Sequence, residues 1–209
     1  MFFEKIWLIL FSFDVGPILA IEECCIEPYE TKKELSLKMS NIGSKLLLRV
    51  LKDLPKYMAS KKPQPLEGVS YAPKITKDMF ELKWEEKTAQ EIYNQFRALS
   101  DTSKLYSYWK NTSTIVRFED ALSPRTIKSE ITNFSVEDED SVPGQVIPKM
   151  TKKHGRLICI KCAEGWITFR KFYYGQRGVM NSADFYNGFL KTQRKMDNSR
   201  FVSLDKIEM

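Results

Sequence analysis

Apolar positions recur at helical spacing early in the chain and in short alternating runs later, which predicts two kinds of architecture in succession. Ile6–Phe13 is a continuous apolar run that reads as a buried strand followed by a loop. Thr31-Lys-Lys-Glu34 is a capping box, in which the hydroxyl accepts from the N3 amide while Glu34 reaches back. Leu35, Met39 and Ile42 follow on one helical face, and Gly43 is expected to stop that helix. A second amphipathic helix is predicted over Ser44–Met58, with Leu47, Val50, Leu51 and Leu54 on one face and Pro55 bending or shortening it. The polar stretch Ala59–Gly68, rich in Pro and Lys, reads as a linker and a domain boundary.

Beyond it, Thr88-Ala-Gln-Glu91 is another capping box, opening a helix with Ile92, Phe96 and Leu99 inward. Short strands are predicted at Lys104–Trp109, Thr114–Glu119, Gly144–Pro148, Arg156–Lys161 and Trp166–Tyr173. Ser123–Pro143 reads as a long irregular insertion with an acidic run, Glu137–Asp140. Several short strands behind one helix point to a small antiparallel barrel. Asn181-Ser-Ala-Asp184 caps a last short helix carrying Phe185 and Phe189, and the polar tail Lys191–Met209 is expected to be partly extended or mobile. No internal repeat is visible.

Charge sharpens this picture more than composition does. The net charge is +6, and Gly144–Met209 holds 13 Lys/Arg against five Asp/Glu. That segment alone carries +8, leaving about −2 for the rest, so a basic C-terminal surface suited to a polyanion is expected. A solvated basic face without a partner is the alternative. No run reaches the roughly 18 apolar residues that span a bilayer. Cys24–Cys25 and Cys159-Ile-Lys-Cys162 are too sparse for a secreted disulfide framework. The CIKC pair falls in a strand-like run where residues three apart point to opposite faces, so no metal site is expected. Met1–Ala20 imitates a secretory signal, with Lys5 before an apolar stretch and Ala20 at a cleavage position. Glu4, the short apolar core and Asp14 oppose that reading, which would make the chain a small secreted protein.

The order of segments resembles the methionyl-tRNA formyltransferase family. Phe13-Asp-Val-Gly-Pro-Ile-Leu19, then Glu22-Glu23 and the capped Thr31–Leu35, is similar to the end of its catalytic domain. Tyr71-Ala-Pro-Lys-Ile75, Trp84 and Arg97-Ala98 resemble the start of its C-terminal domain. Cys162-Ala-Glu-Gly-Trp166 is similar to its strand-turn-strand hairpin, and Met180–Gly188 to its closing helix signature. The likeness runs collinearly from about Phe13 to Phe201. Ser100-Asp-Thr-Ser-Lys stands where bacterial members carry Asn-Pro-Trp-Pro, which points to the animal mitochondrial branch and a mitochondrial matrix location. Met1–Ser12 matches nothing in the family, so a truncated chain is expected, with most of the catalytic domain absent.

The resemblance implies an α+β chain: a helical remnant of a doubly wound formyltransferase domain, followed by a small antiparallel OB-like β-barrel. Its domains are then 1–60 for the end of the catalytic domain, 61–70 for the linker, 71–190 for the OB-like tRNA-binding domain and 191–209 for a basic tail. The implied reaction moves a formyl group from 10-formyltetrahydrofolate to the amino group of initiator methionyl-tRNA. The family uses an Asn, a His and an Asp; Asp14 matches the Asp, which pairs with the imidazole. The chain's only histidine, His154, lies in Lys152-Lys-His-Gly-Arg156 and matches no family base. Without proton-transfer group and oxyanion donor, the chain alone is expected to bind no folate and to turn over little. Its expected partner is initiator methionyl-tRNA, with no membrane and no metal, and it is expected to be a monomer. The tRNA-binding residues expected on the barrel are Lys149, Lys152, Lys153, Arg156, Arg170, Lys171 and Arg177, with Trp166, Phe172 and Tyr173 among them. A non-catalytic RNA-binding or interaction module is the alternative.

Overall fold

The computed structural model describes residues 16–65, 67–131, 134, 138, 140–191 and 199–207, and the backbone of 2–7. The chain divides into two units, Met1–Lys74 and Ile75–Met209.

In the first unit, β1 (Phe2–Trp7) and β2 (Ile18–Cys24) form an antiparallel pair. Thr31 caps α1 (Lys32–Lys52) with both arms of its capping box formed, and α2 (Leu54–Ala59) follows. Gly43 does not stop the first helix. A glycine inside a helix costs roughly 0.5–1 kcal/mol. Leu35, Met39, Ile42, Leu46 and Val50 continue one face without a phase break, and burying Leu46 and Val50 offsets that cost. Because the phase is set from Leu35, the predicted face of Leu47, Leu51 and Leu54 turns outward, and only Val50 of that set is buried. Residues 60–65 include an antiparallel bridge from Lys62 to Ile18, and Gln64 donates to the Gly16 carbonyl at 3.0 Å.

The second unit carries α3 (Ala89–Leu99), β3 (Leu105–Trp109), β4 (Thr114–Leu122), α4 (Pro124–Glu130), β5 (Val146–Thr151), β6 (Gly155–Lys161), β7 (Trp166–Tyr174), β8 (Val179–Asn181), α5 (Ser182–Phe185) and β9 (Phe201–Val202). A π-helical turn, Tyr186–Leu190, extends α5. The sheet runs β5-β6-β7-β4-β3-β9, with β8 on β7, and every strand pair in it is antiparallel. Among the described residues no ladder closes it into a barrel, although an isolated bridge joins Gln145 to Arg200. One face covers the main core, where Trp84, Trp109, Phe118, Phe169, Phe172, Phe185 and Phe201 are almost wholly buried. A smaller cluster of Ile127, Ile131, Ile147, Leu157, Cys159 and Trp166 lies apart from it.

One other expectation fails here. Ser123–Pro143 is not wholly irregular: Ser123 accepts from the Thr126 amide, Pro124 takes the first turn, and α4 buries Ile127. The tail is partly extended, as β9, but that strand is buried: Phe201 lies 4.9 Å from Trp109 and 5.0 Å from Phe118. Gly144, at φ +82°, makes room for it: a Cβ there would stand 2.0 Å from the Phe201 carbonyl oxygen.

Candidate nucleic-acid interface

All seven expected tRNA-binding cations lie in the second unit, but the fold treats them differently. Four meet carboxylates. Lys149 pairs with Asp138 and lies over the Phe134 ring at 5.1 Å. Lys153 is 3.8 Å from Glu130, Arg170 is 2.6 Å from Asp120, and Lys171 is 3.1 Å from Glu119.

The Arg170 pair has a backbone cause. Asp120 has φ +63°, a left-handed conformation that a short polar side chain tolerates. Strict alternation puts residues three apart on opposite faces, yet Phe118 with Ala121 and Phe169 with Phe172 all pack on the main core. Both strands slip at the same register, and Asp120 and Arg170 meet there.

Three cations make no ion pair among the described residues. Lys152 is exposed in the β5–β6 turn. Arg156, at the start of β6, stacks over Tyr186 with its guanidinium carbon 3.8 Å from the ring centroid. Arg177, beyond β7, lies 5.5 Å from the centre of Tyr174, whose ring is 4.4 Å from Phe189. A guanidinium stacked on a ring keeps its N–H edges available for phosphate oxygens and gives up little freedom on binding.

Of the aromatic residues expected among them, Phe172 is fully buried and Trp166 nearly so, stacked on Phe134 at 4.9 Å. Tyr173 is half-buried on the outer face of β7, and its hydroxyl donates to Glu119 at 2.6 Å. That bond first, opposed by desolvation and aided by the Lys171 ammonium, holds the Glu119 carboxyl below its ordinary range. Sequence charge alone does not single out Arg117. It sits between Tyr106 and Tyr173 in the cross-strand register and donates to the Gly175 carbonyl at 3.3 Å. Outward alternation along Thr114–Glu119 is the signal that finds it.

Asp14 lies outside the described residues. His154 lies apart from the exposed cations: its Nε2 stands 3.3 Å from the Glu130 carboxylate, and its backbone N–H donates to Thr151 Oγ1. Burial raises the Cys159 and Cys162 thiols to about 12, and they belong to different apolar clusters. Among the described residues no group of three or more His, Cys, Asp or Glu could hold a metal ion, and no helix is long and apolar enough to cross a membrane.

Comparison with known proteins gives this geometry its context. Residues 74–190 match the family model "Formyl transferase, C-terminal domain". The mitochondrial methionyl-tRNA formyltransferase of Homo sapiens is 34% identical over 199 residues, covering 92% of this chain and 49% of that protein. The methionyl-tRNA formyltransferase of Parvibaculum lavamentivorans is 30% identical over 176 residues, 84% of this chain and 51% of that protein. Among solved structures, a HypX variant from Aquifex aeolicus superposes with a TM-score of 0.56 at 14% identity, over 90% of this chain and 31% of that one. At that identity the superposition speaks to fold alone. The chain spans about half the length of the curated relatives it matches. It belongs to the formyltransferase C-terminal domain family.

Proposed function

We propose that this chain is the tRNA-holding part of a mitochondrial methionyl-tRNA formyltransferase. In that reaction 10-formyltetrahydrofolate is the formyl donor and the amino group of initiator methionyl-tRNA the acceptor. The observation that carries the reading is the family match over 74–190, the stretch that holds Lys152, Arg156 and Arg177, none of them paired with a carboxylate among the described residues. Phosphate contacts of this kind give affinity with little sequence reading and a strong dependence on salt. Lys149, Lys153, Arg170 and Lys171 would first have to leave their acidic neighbours. They are assigned the lesser share.

In this reading 1–60 is the end of the catalytic domain, 61–70 a linker, 71–190 the tRNA-binding domain and 191–209 a basic tail. An OB-like barrel for the sheet is supported by the hydrogen bonds from Val146 to the Ser199 carbonyl and from Phe201 to the Gly144 carbonyl. Those bonds bring the free side of β5 to the strand beside β3. Mitochondrial location follows the similar mammalian enzymes. Asp14 is assigned the catalytic carboxylate. The one histidine of the sequence lies beside Glu130 in the second unit and matches no family base, so this polypeptide by itself holds tRNA without transferring formyl.

The test is a filter-binding titration of initiator tRNA across a salt series, together with a formylation assay. Arg156→Gln with Arg177→Gln should lower the salt slope by about two phosphates, and Arg170→Gln should change it less. Binding that ignores salt, or robust formylation by the purified chain, would refute the reading.

A further inference from the structure

The outer face of β3, β4 and β7 is a regular grid. Leu105, Ser107 and Trp109 are buried, so Tyr106 and Tyr108 alternate to the other side of the strand, both half-buried and Tyr106 still packed against the main core. Residues directly opposite in an antiparallel pair share a face. The register sets Tyr106 against Arg117, and Arg117 against Tyr173. One row therefore reads aromatic, cation, aromatic across three strands, and β8 continues it with Val179, which is exposed. The neighbouring row holds Glu119 opposite Lys171, with Lys104 3.6 Å from Glu119 on its other side. Lys104, Arg117 and Lys171 lie on this face with Glu119, while Glu81, bridged to Tyr106, and Asp78 place carboxylates at its β3 end.

Three features suit this face to a nucleic acid rather than to plain solvent. The Tyr106 and Tyr108 rings meet edge to face at 6.0 Å, which fixes both. Tyr173 is held by its hydrogen bond to Glu119, and Lys104 lies 4.8 Å from its ring centroid. Arg117 is tethered by one N–H to the Gly175 carbonyl and makes no ion pair among the described residues, which leaves its remaining N–H groups for an anion. Strands two apart stand roughly 10 Å from each other, so a phosphate on Arg117 sits between bases on the two tyrosines.

We propose that this face is a stacking platform for an unpaired stretch of RNA, with bases on Tyr106 and Tyr173 and the intervening phosphate on Arg117. The proposal rests on the tRNA-binding reading and deepens it. It separates a stacking surface for single strands from the backbone contacts of Lys152, Arg156 and Arg177. Stacked duplex bases present no free face to a tyrosine, so the platform discriminates where phosphate contacts do not.

Fluorescence anisotropy of the whole chain tests it, with a labelled short oligoadenylate, a hairpin duplex of equal charge, and tRNA. Tyr106→Leu and Tyr173→Leu should each weaken the single strand about tenfold and leave the duplex within about twofold. Tyr106→Phe and Tyr173→Phe keep the rings and should retain single-strand binding within about threefold, Tyr173→Phe giving up only the hydrogen bond to Glu119, which separates lost stacking from lost folding. Arg117→Gln should reduce the salt slope by about one phosphate. Leucine variants that bind the single strand normally, or that lose both ligands alike while the Phe variants do too, overturn the platform. If tRNA still binds in those cases with its usual salt dependence, only the platform falls. If the unaltered chain binds none of the three, the tRNA reading falls with it.

Discussion

Replacing Phe201 by Ala removes a ring that is fully buried although it lies beyond residues 74–190, the span of the family match. That ring stands 4.9 Å from Trp109, 5.0 Å from Phe118, and 6.0 Å from both Trp84 and Phe185. With Trp109 and Phe118 held by the sheet, Phe185 by α5 and Trp84 by its hydrogen bond to Ser107, the cavity has little chance to collapse. The loss should sit in the usual range for Phe→Ala in a core, about 3–5 kcal/mol. Gly144→Ala attacks the same insertion from the other side. Its positive φ costs roughly 1–2 kcal/mol for any L side chain, and the new Cβ would strike the Phe201 carbonyl oxygen. Since both changes release one segment, the double variant should lose less than the sum, by about 0.5–3 kcal/mol. Urea unfolding followed by tryptophan fluorescence reads this directly, because Trp84 and Trp109 lie in that core. A loss under about 1 kcal/mol for Phe201→Ala at unchanged m, or strict additivity, would refute the claim that the tail is an integral part of the fold.

Ser107 links Trp84 Nε1, at 2.9 Å, to the Val202 carbonyl, also at 2.9 Å. Ser107→Ala leaves both buried groups without that partner and should cost about 2 kcal/mol or more by calorimetry; a neutral change would mean that water replaces the hydroxyl. The buried Cys159 and Cys162 should stay silent to Ellman's reagent in the native chain while the exposed Cys25 reacts, and should respond only on unfolding. Their thiols are raised to about 12 from an ordinary 9.0, so the unfolded chain sheds these protons first. Stability should therefore fall as pH rises through 9 toward 12, and a flat urea midpoint across that window would contradict the burial. For Glu119 the sign is opposite: its depressed carboxyl contributes above the ordinary carboxylate value, and the contribution is lost as pH falls through the depressed one. Tyr173→Phe should move its titration upward in carboxyl NMR; an unmoved midpoint would remove Tyr173 as the principal cause.

The sequence by itself determined the local grammar of the chain. Thr31, Thr88 and Asn181 each announce a helix start through a capping box, and all three boxes form, because a cap is settled by residues three apart. Five strands were legible from alternation for the same reason. Where the outcome depended on a distant partner, local reading failed. Gly43 continues α1 because one unbroken apolar face outweighs a local stop signal. Phe201 looks like part of a polar tail until the sheet supplies a core to receive it. The basic set Lys149–Arg177 was visible as charge, but only strand register decided which cations meet Asp120, Glu119, Glu130 or Asp138 and which rest on rings. Charge is a property of the residue. Its availability to a phosphate depends on what the fold places within about 4 Å.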